Sequence, residues 1–74
     1  MALTLFNGKL ALSDLESFSG NADTMTGKVV MLAQGVTGVV AGDRVIYPKA
    51  LARPVVYGGK EYVIVKFAEL DGKL

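Results

Sequence analysis

Cysteine, histidine and tryptophan are missing altogether from this 74-residue chain. Without cysteine there is no disulfide, and without both cysteine and histidine the common soft-ligand zinc sites are excluded. The same two absences remove the side chains that most often do acid–base and nucleophilic work. The carboxylates Asp14, Glu16, Asp23, Asp43, Glu61, Glu69 and Asp71 fall at no spacing typical of a metal site or a glycosidase pair. The chain is expected not to be an enzyme, and to need no metal, cofactor or small-molecule substrate. It has no Gly-x-x-x-x-Gly-Lys-[Ser/Thr] run, so it is expected to hydrolyse no nucleotide. Charge of one sign is also lacking: 8 basic residues stand against 7 acidic. That balance gives no electrostatic reason to expect nucleic acid or an anionic membrane as a partner. No apolar run approaches the roughly 18 residues of a membrane span. The first eight residues lack the basic and long apolar stretches of a signal peptide. Cysteine-free composition is compatible with the cytoplasm, which is the expected location.

What is present is apolar: 51% of the residues are hydrophobic. A chain this short buries only about 60% of its unfolded surface and is marginal alone. With disulfides and soft-ligand metals excluded, self-association is the remaining common device. The competing explanation, scattered apolar side chains on the surface, is ordinary in soluble proteins. One domain over residues 1–74 is expected.

The chain reads as β-structure with one polar interruption. Leu3-Thr4-Leu5 alternates as a half-buried strand does. Asn7-Gly8 suits either a hairpin turn or a bulge in one long strand, and the bulge is the preferred reading. Residues 13–26 are rich in Ser, Thr, Asn, Asp and Gly, which compete with regular backbone bonding, and read as a loop. Ser13-Asp14-Leu15-Glu16 has the form of a helix capping box, enough for one short turn. A loop of about fourteen residues is long for a compact domain, and such loops tend to be functional or disordered. Leu15, Phe18 and Met25 inside it either tuck onto the core or anchor a partner.

From Gly27 onward the pattern is β throughout. Lys28-Val29-Val30-Met31-Leu32-Ala33 is nearly continuous in apolar residues, as where both faces are covered. Gly42-Asp43 marks a turn. Arg44-Val45-Ile46-Tyr47 is a strand that Pro48 stops. Gly58-Gly59 joins Val55-Val56-Tyr57 to Lys60-Glu61-Tyr62-Val63-Ile64-Val65-Lys66-Phe67 as a tight hairpin. On its second strand Val63, Val65 and Phe67 share one face; Tyr62, Ile64 and Lys66 share the other. Five or six short strands at this spacing indicate a small β-barrel or sandwich.

Three segments in order carry a family resemblance. Gly27-Lys28-Val29-Val30-Met31-Leu32-Ala33-Gln34-Gly35 resembles the G-x-V-x-A-V-G strand and turn of GroES-type co-chaperonins. Val40-Ala41-Gly42-Asp43-Arg44-Val45-Ile46-Tyr47 is similar to that family's V-G-D-x-V-[IL]-[FY]. Tyr57-Gly58-Gly59-Lys60-Glu61-Tyr62-Val63-Ile64-Val65-Lys66 is similar to its x-G-x-E-Y-L-I-x hairpin. The resemblance covers about two thirds of the chain. It implies an all-β fold, a small Greek-key barrel, assembled as a homo-oligomeric ring, usually of seven subunits. It implies a co-chaperonin that caps a GroEL-type chaperonin and assists ATP-dependent protein folding, with residues 13–26 as the mobile loop that makes the contact. Leu15, Phe18 and Met25 are then the chaperonin-binding candidates. In such rings the first strand of one subunit pairs with the last strand of its neighbour, setting Leu3 and Leu5 against Val63, Val65 or Phe67. The chain departs from the family in lacking a Gly-Gly-Ile-x-Leu element. Only residues 34–41 occupy the place of the roof hairpin, so an absent or reduced roof is expected. The competing class is a non-chaperone β-barrel, a structural or adaptor subunit such as one of a virus particle.

Overall fold

The computed structural model describes residues 5–18 and 20–74. Six strands form one antiparallel sheet: β1 (Lys9–Phe18), β2 (Asn21–Leu32), β3 (Arg44–Pro48), β4 (Arg53–Tyr57), β5 (Lys60–Lys66) and β6 (Gly72–Lys73). Their order is β4-β5-β1-β2-β3-β6. β1, β2 and β3 are consecutive neighbours, and the chain then crosses over so that β5 lies beside β1, which is a Greek-key connection. The fold is all-β, a small barrel-like sheet of the expected class. Single turns of 3₁₀ helix at Lys49–Leu51 and Phe67–Glu69 carry the chain between strands.

Period-2 alternation decides which side chains meet. Leu10 and Leu12 of β1, Val29 of β2, Val45 and Tyr47 of β3, and Val63 and Val65 of β5 form one buried cluster. Burial pushes the Tyr47 hydroxyl above the usual tyrosine range, because a phenolate is costly away from water. The Gly58-Gly59 hairpin forms as the sequence indicates, with Tyr57 opposite Lys60. Its two glycines have φ of 62° and 80°, the left-handed pair that a type I′ turn needs and that side chains disfavour. No hairpin intervenes between β2 and β3; residues 33–43 cross that interval as turns. Asp43 organises them. Its carboxylate accepts the Val40 N–H at 3.0 Å and pairs with the Lys73 ammonium at 3.4 Å. The Val40 hydrogen bond, with help from Lys73, holds the Asp43 carboxyl below the usual range.

Two expectations are corrected. Asn7-Gly8 is a turn that precedes β1 rather than a bulge inside it. Gly8 is tied to two other segments: its N–H donates to Gln34 C=O and its C=O accepts from Phe67 N–H, each at 2.7 Å. The second correction concerns residues 13–26, where the sequence reads as a loop and the structure has paired strands over residues 13–18 and 21–26. Both edges of the sheet carry devices that discourage further pairing: Pro54 lies in β4, and β6 is only two residues long.

Candidate functional site: the hairpin arm

The distal halves of β1 and β2 form an arm whose support thins along its length. β1 is flanked by β5 only from Lys9 to Leu12. β2 keeps β3 as a neighbour as far as Thr24, opposite Pro48. Past Leu12, therefore, the outer edge of β1 has no strand beside it among the described residues. The pairing within the arm is itself broken. Ser13 faces Lys28 and Glu16 faces Thr26, so Asp14 and Leu15 together oppose Gly27 alone. Asp14 absorbs the extra residue with φ of 52°, the left-handed geometry that Asp tolerates better than most side chains. Nearer the tip, Ser17 faces Met25 but Phe18 faces Asn21, and the chain turns at Gly20. The capping-box pattern at Ser13 and Glu16 thus lies on a bulged strand and caps no helix.

Arg44 fastens the bulge. Its Nη2 donates to the Asp14 carbonyl at 2.9 Å and to the Thr26 hydroxyl, Oγ1, at 3.0 Å. One guanidinium on β3 thereby reaches across β2 to hold β1. The hydrogen bonds are charge-assisted and stronger than neutral ones.

The sequence candidates occupy distinct places. Leu15 and Met25 are partly buried and pack against the core cluster. Met25 stands opposite Tyr47 of β3, and its sulfur accepts the Ser17 hydroxyl at 3.8 Å. Phe18 is half-buried at the distal turn. The arm therefore presents one aromatic group at its end, while Leu15 and Met25 are turned back onto the core. Asp14, Glu16 and Asp23 are exposed along it.

For the subunit-interface candidates, Leu3 lies outside the described residues, and Leu5 is half-buried and in no strand. Val63 and Val65 are 7% and 2% exposed within the single chain. Their strand is hydrogen-bonded on both sides, by β1 and by β4. Phe67 lies just past β5, packed at the margin of the core. The last strand in the structure is β6, at the sheet edge.

Sequence reasoning missed Gly27 and Arg44 as parts of the site. Gly27 is a glycine inside a β-run with no turn beside it, which signals a close approach of another chain segment. Arg44 carries no such local signal. Among the described residues no cluster of three or more His, Cys, Asp or Glu could hold a metal ion. Among the described residues no helix is long and apolar enough to cross a membrane.

Comparison with known proteins gives one family. The family model described as Chaperonin 10 Kd subunit matches residues 16–74, which takes in the distal arm, the Asp43 turn and the Gly58-Gly59 hairpin. No curated protein matches the chain significantly. The chain belongs to the chaperonin 10 kDa subunit family, and its general role is that of a co-chaperonin.

Proposed function

From that membership we propose that the chain caps a GroEL-type chaperonin as a ring of identical subunits, seven in number as the GroES resemblance implies, and assists ATP-dependent folding of client proteins in the cytoplasm. The observation that supports this most is the thinning of the arm. Beyond Leu12, β1 has β2 alone beside it and meets two breaks in register, and past Thr24 β2 in turn loses β3, so that the tip of the arm is two-stranded. An isolated two-stranded hairpin is at best marginally stable in water. Such an element yields to a partner's groove at small cost, and the pairing it gives up on binding keeps each contact weak and reversible. Phe18 is the first anchor and Leu15 the second, with Met25 supporting them. Burying one such side chain stabilises by roughly 1.5–3 kcal/mol. Several arms on one ring act together through their effective concentration, so the cap is firm yet releasable when the partner's nucleotide state changes.

Assembly is proposed to use Leu3 and Leu5 of one subunit against the end of its neighbour. Val63 and Val65 already have strands of their own chain beside them, so the incoming segment packs against the β6 end of the sheet, toward Phe67 and the exposed Leu74. Val63 and Val65 support that surface from beneath. A head-to-tail contact of this kind closes into a ring when its rotation divides the circle.

The test is limited proteolysis of the full chain with and without a GroEL-type chaperonin and ATP. Residues 13–26 are cut in the free protein and protected in the complex. Equal cutting in both would refute the arm as the contact and favour a barrel used for assembly alone.

A further inference from the structure

A second feature lies away from the arm, on the outer face of β1, β4 and β5. Lys9 and Lys66 are directly opposite one another across the β1–β5 pair. Arg53 of β4 is opposite Ile64, and Ile64 and Lys66 share a face because they are two residues apart. Three cations therefore stand together on three adjacent strands. They line one recess of about 360 Å³, together with Ala50, Leu51, Ile64, Val65 and the single carboxylate Glu69. None of the three is in an ion pair among the described residues. Like charges placed directly opposite in an antiparallel pair are destabilising. Here the arrangement is made worse by a third cation and is offset at most by Glu69. The remaining charge is positive, inside a concave surface with apolar side chains in its lining.

We propose that this recess is a binding site for a phosphate-class oxyanion, with Lys9, Lys66 and Arg53 as its donors. The lysines supply point charges and Arg53 the planar fork that suits a tetrahedral oxyanion. The ligand relieves the Lys9–Lys66 repulsion, so it binds the folded chain in preference to the unfolded one and stabilises it. The site is independent of the arm and of chaperonin capture.

The experiment is calorimetric titration of the full chain with inorganic phosphate, run against chloride at matched ionic strength, with melting temperature followed in parallel. The expected result is saturable binding at one site per chain and a melting temperature raised by phosphate over matched chloride. Lys66→Gln and Arg53→Gln, both exposed positions, each weaken binding by roughly tenfold, the loss of one charge-assisted contact. Lys66→Glu, which sets an opposite charge before Lys9, raises the melting temperature at low salt and abolishes the phosphate increment. Equal effects of phosphate and chloride would show general screening and overturn the site. So would phosphate binding that survives both glutamine variants unchanged.

Discussion

The Leu15 side chain lies over the bare α-carbon of Gly27: a Cβ built there would sit 3.0 Å from Leu15 Cδ2 and 2.9 Å from Leu12 Cβ. Only a residue without a side chain lets the bulge close and Leu15 sit down on the sheet. The Leu12 contact is with an atom next to the backbone, which has little room to retreat. Gly27→Ala is expected to cost about 1–3 kcal/mol as an overpacked site. That outweighs the ~0.4–1 kcal/mol gained by stiffening the unfolded chain. Urea unfolding of the variant measures it; an unchanged midpoint would show that the arm's root is not closely packed.

Arg44 is expected to govern how firmly the bulge is held. Arg44→Met keeps the stem and removes both hydrogen bonds to Asp14 and Thr26. A loss of about 1–2 kcal/mol is expected, in line with bonds made by a charged donor. Amide exchange in residues 13–18 is expected to quicken more than in β5. Uniform quickening across the sheet would mean that Arg44 serves general stability rather than the arm.

Much of the barrel was legible in the sequence, and the arm was not. The Gly58-Gly59 hairpin and the Gly42-Asp43 turn announce themselves through local chemistry, and the short interval after β2 reveals that no roof hairpin intervenes. In residues 13–26 the local signals point the wrong way. Ser, Asp, Asn and Gly are poor strand formers, and the bulge at Asp14 shifts the period just where a strand would show it. The strand exists because distant residues hold it: Tyr47 and Pro48 face β2, and Arg44 reaches Asp14 from thirty positions away. The Lys9–Lys66 opposition was equally hidden, since it follows from register between two strands far apart in the chain. Val63 and Val65 were correctly placed on one apolar face, but sequence alone does not say whether such a face meets the chain's own core or a neighbour.

Acid is expected to loosen the turn that leads into β3. The folded Asp43 carboxyl lies below its ordinary value of 3.8. Its contribution is present above that value and is lost as pH falls through the lower, folded one. In Asp43→Asn this component of the acid limb disappears, while stability at neutral pH drops through loss of the Lys73 ion pair. Unfolding curves of both proteins between neutral pH and pH ~3 check this. Parallel curves would show that Asp43 does not fasten the turn.

Assembly is expected to respond at the chain ends and not in the core. Leu74→Asp and Leu5→Asp are expected to weaken subunit association by on the order of tenfold or more, the burial of one leucine being worth roughly 1.5–3 kcal/mol, while leaving the monomer's circular dichroism unchanged. Val65→Lys, by contrast, is expected to unfold the chain, since Val65 is only 2% exposed without any partner. Native mass spectrometry separates the outcomes; a ring indifferent to both Asp variants would refute the β6 interface.

The most direct test of the account is co-sedimentation of the intact protein with a GroEL-type chaperonin in the presence of ATP, comparing the natural chain with Phe18→Ser. The natural chain is expected to sediment with the chaperonin. Phe18→Ser is expected to keep its fold and oligomeric mass but stay in the supernatant. Capture that survives Phe18→Ser and Leu15→Ser alike, or a natural chain that is never captured, would contradict the arm as a chaperonin-docking element.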